Sequence, residues 1–294
     1  MPHAGSGGYP ATAVPQTHEN PSGSDALASV GVYRRAVHSS LERIWENVLD
    51  WEHLPWLHRE SFSRIECLDA GPAGWRARLG LAPADSGQEI LLELVLERPA
   101  LRYLARTLEG PGCGTEIWTR LRPAAPDLTE IEVEFLLPGI PPGKRDALGR
   151  AYVQLYTLLW DQDQSMMTRR EAQLAAKSAQ ASSDSISLGP LASLREQLPL
   201  AIRLGGRGYR VVELDGELLA HATECPHRLG PLEDAELVDG CVRCPWHAYR
   251  FDVRTGRSAD GRSLRLSPAP RVVIDPESSE VEIRLAPSPG IRTG

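Results

Sequence analysis

Cys225-Pro226-His227 is followed, after sixteen residues, by Cys244-Pro245-Trp246-His247. Each half offers one thiolate and one imidazole. That donor set suits a [2Fe–2S] cluster held by two Cys on one iron and two His on the other. The prolines restrict the backbone beside each cysteine. A structural zinc ion could use the same four ligands. Zinc sites more often group a Cys pair followed by a His pair, so two separated Cys/His pairs favour the cluster.

A second constellation lies in Glu46-Asn47-Val48-Leu49-Asp50-Trp51-Glu52-His53-Leu54-Pro55-Trp56-Leu57-His58. His53 and His58 are five positions apart, about 500° of rotation on a continuous helix and so about 140° out of line. Pro55 disfavours helix at Leu54 and is expected to bend the path until the two rings converge. Asp50, three residues before His53, is expected on the same helical face, where it accepts the imidazole's second N–H. Two His and one carboxylate on one face form a mononuclear non-haem iron site with positions open for dioxygen. The competing reading is a helix pair whose polar residues face water, with Trp51 and Trp56 in the core.

The elements that must position these residues divide into two domains, as a length of 294 residues allows. Residues 1–28 are rich in Gly, Pro and Ser and read as a disordered tail; 177–190 contain KSAQASSDSIS and read as a linker; 288–294 read as a second tail. The N-terminal domain, 29–176, begins with a strand over Val30–His38. Ser39 or Ser40 then caps a helix from Leu41. Six strand candidates follow, Phe62–Leu68, Trp75–Leu81, Glu89–Leu96, Arg102–Leu108, Glu116–Leu121 and Thr129–Leu136. Pro141-Pro142 opens a long helix to Ala176, with an inward stripe of Leu148, Tyr152, Leu155, Leu159 and Met166. The C-terminal domain, 191–287, reads as all-β, with strands at Ala201–Leu204, Tyr209–Leu214, Leu218–Ala222, Cys241–Arg243, Tyr249–Asp252 and Val281–Leu285. Asp215-Gly216 is a hairpin signal. The fold class is therefore α+β.

Composition narrows the function classes. The formal charge of −7 comes with no long basic stretch, which argues against nucleic acid. Five Cys leave Cys67, Cys113 and Cys241 without a pairing pattern, which points to a reducing cytoplasm. No apolar run is long enough to span a membrane. Trp51, Trp56, Trp75 and Trp118 are expected in the core.

The run CPHRLGPLEDAELVDGCVRCPWHAYRFDVRTG resembles the Rieske family. The order strand, two short helices, about six strands and a long helix, with the phrase SLERIWENVLDWEHLPWLH, resembles the START-like (SRPBCC, helix-grip) superfamily. Together with the Glu46, Asp50, His53, His58 pattern, the chain resembles the Rieske non-haem iron oxygenases, with the domain order inverted. That resemblance implies Cys225, His227, Cys244 and His247 on the cluster. It implies His53 and His58 on iron, with a third ligand from the long helix: Asp163, or Asp161 close behind. Met166 and Met167, three and four residues after Asp163, match the family's rhythm. It further implies a homo-oligomer, a trimer by family habit, with Asp50 bridging a cluster His and an iron His between neighbours. The inverted order puts that interface in question.

The implied activity is mono- or dioxygenation of a small organic substrate with O2. No Gly-rich nucleotide fingerprint stands in the chain, so NAD(P)H would act through a separate reductase, with a ferredoxin as a possible intermediary. A second class of function fits the same elements: a START-like ligand-binding module fused to an electron-transfer Rieske ferredoxin, without oxygenase activity. The high-potential members of the Rieske family carry a disulfide and hydroxyl donors beside the cluster. Gly230 and Trp246 stand at the disulfide positions here, and Tyr249 and Phe251 at the hydroxyl positions. A potential near the low end of the range, about −150 mV, is expected.

Overall fold

The computed structural model describes residues 26–176 and 183–285. The chain divides into two compact units, 1–168 and 169–294. Most of the expected first tail, the first part of the expected linker and the whole of the expected second tail fall in 1–25, 177–182 and 286–294, which lie outside the described residues.

The N-terminal unit begins with β1 (Leu27–Val37), α1 (Leu41–Leu49), a single 3-10 turn (Trp51–His53) and α2 (Leu54–Leu57). Strands β2 (Phe62–Gly71), β3 (Gly74–Leu81), β4 (Glu89–Glu97), β5 (Arg102–Glu109), β6 (Glu116–Ala125) and β7 (Leu128–Pro138) follow, and then α3 (Pro142–Ala176). The strands form one antiparallel sheet in the order β1-β7-β6-β5-β4-β3-β2. In β7 burial alternates strictly, with Ile131, Val133, Phe135 and Leu137 inward and Glu132, Glu134 and Leu136 between them outward. The outward face is laced by cross-strand pairs such as Arg106–Glu116 and Arg120–Glu134.

The inward face packs on α3, where Phe135 stacks on Tyr152 and meets Tyr156 edge-on. The two backbones touch at Gly31 and Gly149. A Cβ on Gly149 would lie 2.1 Å from the Val30 carbonyl oxygen, so only glycine lets the helix approach there. This is the helix-grip arrangement expected from element order. The buried stripe of α3 differs from the expected one: Leu148, Trp160, Met166 and Met167 are buried and Tyr152 partly so, while Leu155 and Leu159 stay at intermediate burial.

The C-terminal unit has β8 (Ser185–Pro190), α4 (Leu191–Arg195), β9 (Leu200–Leu204), β10 (Arg207–Leu214) and β11 (Glu217–Ala222). It continues with β12 (Leu237–Val238), β13 (Cys241–Arg243), β14 (Arg250–Asp252), β15 (Arg271–Ile274) and β16 (Glu280–Arg284). They form three small antiparallel sheets, β11-β10-β9, β12-β13-β14 and β15-β16-β8. Asp215 and Gly216 both take positive φ in the two-residue β10–β11 turn, as the hairpin signal required.

Two boundaries need correction. Leu27 and Ala28 are strand, not tail. Ser185–Pro190 is strand, not linker, because its backbone pairs with β16 and its Leu188 packs against Leu194 and Val281. Small polar composition hid a strand whose apolar residues are only Ile186 and Leu188.

Candidate metal centres

His53, His58 and Asp163 converge. One ligand atom from each lies within 4.8 Å of the others. Asp163 Oδ1 is 3.4 Å from His53 Nε2 and 3.1 Å from His58 Nε2. The two rings sit edge to face, with centroids 5.1 Å apart. Both histidines are buried, 3% and 2% exposed.

The local backbone around the two histidines differs from the expected route. The helix breaks at Asp50 (φ −86°, ψ 73°), not at Pro55. Leu54 is helical, and Pro55 sits in the first turn of α2, where its missing N–H costs nothing. His53 and His58 are the residues flanking the four-residue α2. Asp50 therefore does not share a helical face with His53. It is buried and lines the same cavity as the two histidines. Trp75 pins this segment to the sheet by donating its indole N–H to the Val48 carbonyl at 2.9 Å.

The choice between Asp161 and Asp163 follows from helical phase. Two positions on a helix are about 200° apart, so the two carboxylates face opposite ways. Asp161 turns outward and pairs with Arg35 at 2.5 Å. Asp163 falls on the stripe of Tyr156, Trp160 and Met167. Gln162 between them completes the site: its Oε1 lies 2.7 Å from His58 Nδ1. An amide oxygen only accepts, so Nδ1 carries the proton and Nε2 is the face turned to Asp163. Burial pushes the His58 imidazole down, but the Asp163 carboxylate and the Gln162 contact outweigh it and the net direction is up. Burial likewise pushes Asp163 up, and the two imidazoles outweigh it and hold the carboxylate well below the usual range.

A cavity of about 130 Å³ opens beside the triad. Trp75, Leu92, Leu94, Tyr103, Tyr156 and Trp160 form much of its wall. Of the four tryptophans expected in the core, Trp75 is buried but also lines the cavity, as does Trp51, which is only partly buried. Trp56 is 45% exposed, and Trp118 lies under the Arg102 guanidinium at 4.6 Å. Gln162, Asn47, Tyr103 and Tyr156 were missed by the sequence reading. Helical spacing from Asp163 could have found Tyr156; nothing local marks Tyr103.

The second centre is built by two loops with one backbone plan. In the first, Cys225 N–H donates to Gly230 O and Leu229 N–H to Cys225 O, both at 2.9 Å. In the second, Cys244 N–H donates to Tyr249 O at 2.9 Å and Ala248 N–H to Cys244 O at 2.8 Å. Leu229 and Ala248, each four residues after its cysteine, both take positive φ (63° and 52°), a strained conformation for residues with a side chain. The matched frames bring all four predicted ligands together. The His227 and His247 rings lie 4.5 Å apart, Nδ1 of each is sequestered from solvent, and both thiols are buried. The Cys225 thiol hydrogen-bonds Cys244, which holds Cys225 up and, with His247, brings Cys244 down. A Cβ on Gly230 would lie 2.7 Å from Cys244 Sγ and 3.1 Å from the Trp246 ring, so no side chain fits at that position. Tyr249 stacks on His227 at 4.6 Å.

Residues 185–269 match the Rieske [2Fe-2S] domain family. The C-terminal unit carries a Rieske domain. Over 69 residues the chain is 35% identical to the anthranilate 1,2-dioxygenase ferredoxin subunit of Burkholderia cepacia, covering 24% of this chain and 64% of that protein. It is 38% identical over 69 residues to the oxygenase component of dicamba O-demethylase of Stenotrophomonas maltophilia, covering 24% of this chain and 18% of that protein. The chain thus spans less than two thirds of the length of either relative. Among solved structures, the ZhuI aromatase/cyclase of Streptomyces sp. R1128 aligns with a TM-score of 0.41 at 12% identity, over 49% of this chain and 96% of that one.

The donors fit the groups expected of them. Two buried thiols and two sequestered imidazole nitrogens are the ligand set of a Rieske cluster. At the other centre, donors about 2.1 Å from one metal and near right angles to each other stand about 3 Å apart. The carboxylate-to-imidazole distances of 3.1 and 3.4 Å meet that requirement.

Proposed function

We propose that this chain is a Rieske-type non-haem iron oxygenase, in which a [2Fe–2S] cluster on Cys225, His227, Cys244 and His247 feeds electrons to a mononuclear ferrous ion that uses O2 to hydroxylate, dihydroxylate or demethylate a small organic substrate. The observation that carries the reading is the convergence of His53, His58 and Asp163 beside a cavity. A ferrous ion on two imidazoles and one carboxylate keeps positions open for dioxygen and substrate chemistry. The residues of the chain do the rest. His53 and His58 present Nε2, and Asp163 presents one carboxylate oxygen to both. Gln162 holds the His58 tautomer. The aromatic wall gives the reacting face a mostly apolar lining.

NAD(P)H enters only through a separate reductase, with or without a ferredoxin between, in the cytoplasm. Asp50 is assigned to relay between the two centres across a homo-oligomer, with a trimer as the favoured form. No described helix is long and apolar enough to cross a membrane.

The ferredoxin likeness favours a second reading, a ligand-binding module fused to an electron carrier. Iron and acid-labile sulfide, measured on protein purified without oxygen and loaded with ferrous ion, separate the two. The oxygenase reading expects about three irons to two sulfides per chain, falling to about two to two in His53→Ala with the cluster intact. A two-to-two ratio in the unaltered protein would leave only the electron carrier. The cluster potential is expected near −150 mV, the low end of the Rieske range; redox titration giving a value well above zero would contradict it.

A further inference from the structure

We infer that Arg262 helps to set the reduction potential of the cluster centre: its guanidinium lies on the Tyr249 ring, Tyr249 lies on His227, and the positive charge favours the cluster that has gained an electron. This role rests on the cluster assignment to Cys225, His227, Cys244 and His247 and not on the oxygenase reading, so it holds for an electron carrier as well.

The stack is built by the loop between β14 and β15. Arg262 Cζ stands 3.8 Å from the centre of the Tyr249 ring. The same ring stacks on the His227 imidazole, with centroids 4.6 Å apart and planes 23° from parallel. The residue after Tyr249 folds the loop back. Arg250 O accepts the Ala259 N–H at 2.9 Å, and the Asp260 carboxylate accepts the Arg250 backbone N–H at 2.7 Å and its Nε–H at 2.8 Å. Gly261 then takes φ 72°, which costs glycine nothing, and Arg262 comes over the ring. Tyr249 is buried and Arg262 exposed. A guanidinium stays charged at any working pH and lies well on an aromatic face. Arg265 has the same charge in the same loop, but it donates to Thr255 O at 3.0 Å. Charge gives the stack its effect. With two thiolates, two neutral imidazoles, two sulfides and two ferric ions, an oxidised cluster is formally uncharged, and one added electron makes it an anion. A fixed cation one ring from a ligand lowers the energy of that anion relative to the neutral form. Net charge is among the quantities that set the potential of such a cluster.

Redox titration of the full-length protein, followed by visible absorption and electron paramagnetic resonance at an ionic strength of about 0.01 M, tests this without turnover. In Arg262→Gln the ratio of reduced to oxidised cluster at a fixed potential is expected to fall about tenfold, a shift of about 59 mV to the negative for a one-electron couple. Arg262→Glu should move further the same way, and Arg262→Lys should stay near the unaltered protein. Arg265→Gln should shift the potential less than Arg262→Gln. Tyr249→Phe should keep most of the effect, because the ring face and not the hydroxyl carries the contact. Added salt should narrow the gap between the unaltered protein and Arg262→Gln. An unchanged potential in both the Gln and Glu variants would overturn the inference, as would an equal shift from Arg265→Gln. Tyr249→Phe moving the potential as far as Arg262→Gln would overturn it too, by placing the effect in the hydroxyl. If Arg262→Gln holds no cluster, the Lys and Glu variants, two charges apart at one position, decide the question by the same titration. Unaltered protein without a cluster signal loses the cluster assignment and this role with it. A cluster whose potential ignores the charge at position 262 loses only this role.

Discussion

The two candidate metal centres are assembled in opposite ways. In the C-terminal unit, four ligands come from two loops of the same design, each closed by its own backbone bonds. In the N-terminal unit, two ligands flank a single helical turn and the third arrives from α3, far along the chain. A loop that closes on itself can place its ligands from local sequence. A site shared between a helix and a distant segment depends on sheet register, on the Gly31–Gly149 approach and on helical phase. The first kind should therefore fail locally, and the second should respond to changes in packing.

The largest effect expected follows from Cys225→Ser or Cys244→Ser. Either should abolish the visible absorption and the electron paramagnetic resonance signal of the cluster, while ferrous binding at His53, His58 and Asp163 persists. Loss of both centres together would break the contrast. Next comes Asp163→Asn against Asp161→Asn. The first is expected to weaken ferrous binding more than about a hundredfold, beyond the range of outer-shell losses. The second removes only the outward pair with Arg35 and should change stability by less than about 1 kcal/mol, read by thermal melting. Equal effects on iron binding would show that the helical phase is misassigned.

Gly230→Ala sharpens the contrast from the loop side. Its added methyl meets Cys244 Sγ and Trp246, so overpacking should cost about 1–3 kcal/mol in denaturant unfolding and shift the cluster spectrum. Unchanged stability would mean the loop yields more easily than its closed frame suggests. The smallest effect belongs to Gln162→Leu. Removing the acceptor of the His58 Nδ1–H should lower ferrous affinity about tenfold, with the cluster untouched, and Gln162→Glu should retain most of it. Nitrogen-15 chemical shifts of His58 report the tautomer directly, and an unchanged tautomer in Gln162→Leu would remove Gln162 from the site.

Much of this was legible in the residues themselves. The six strand candidates of the N-terminal unit match β2 through β7 in order, because apolar alternation over a half-buried sheet leaves a period of two. The strand Ser185–Pro190 was missed because its pairing lies with β16 and not in its own composition. The bend between the two histidines was attributed to Pro55. No bend falls there: Leu54 and Pro55 are helical, because proline is tolerated in the first turn of a helix, and the chain leaves the helical region at Asp50, ahead of both histidines.

The sequence by itself marked the four candidate cluster ligands, since types, spacing and flanking prolines all sit within two short runs. It also determined the order of elements and the pair His53 and His58. Only the tertiary structure turned Asp163 to the two histidines and Asp161 to Arg35, brought Gln162 to His58, and set Asn47, Tyr103 and Tyr156 around one cavity. The physical reason is range. Local backbone preferences and loop hydrogen bonds act over a few residues and are written in neighbouring letters, while the phase of a long helix against a sheet is set by contacts between residues far apart in the chain.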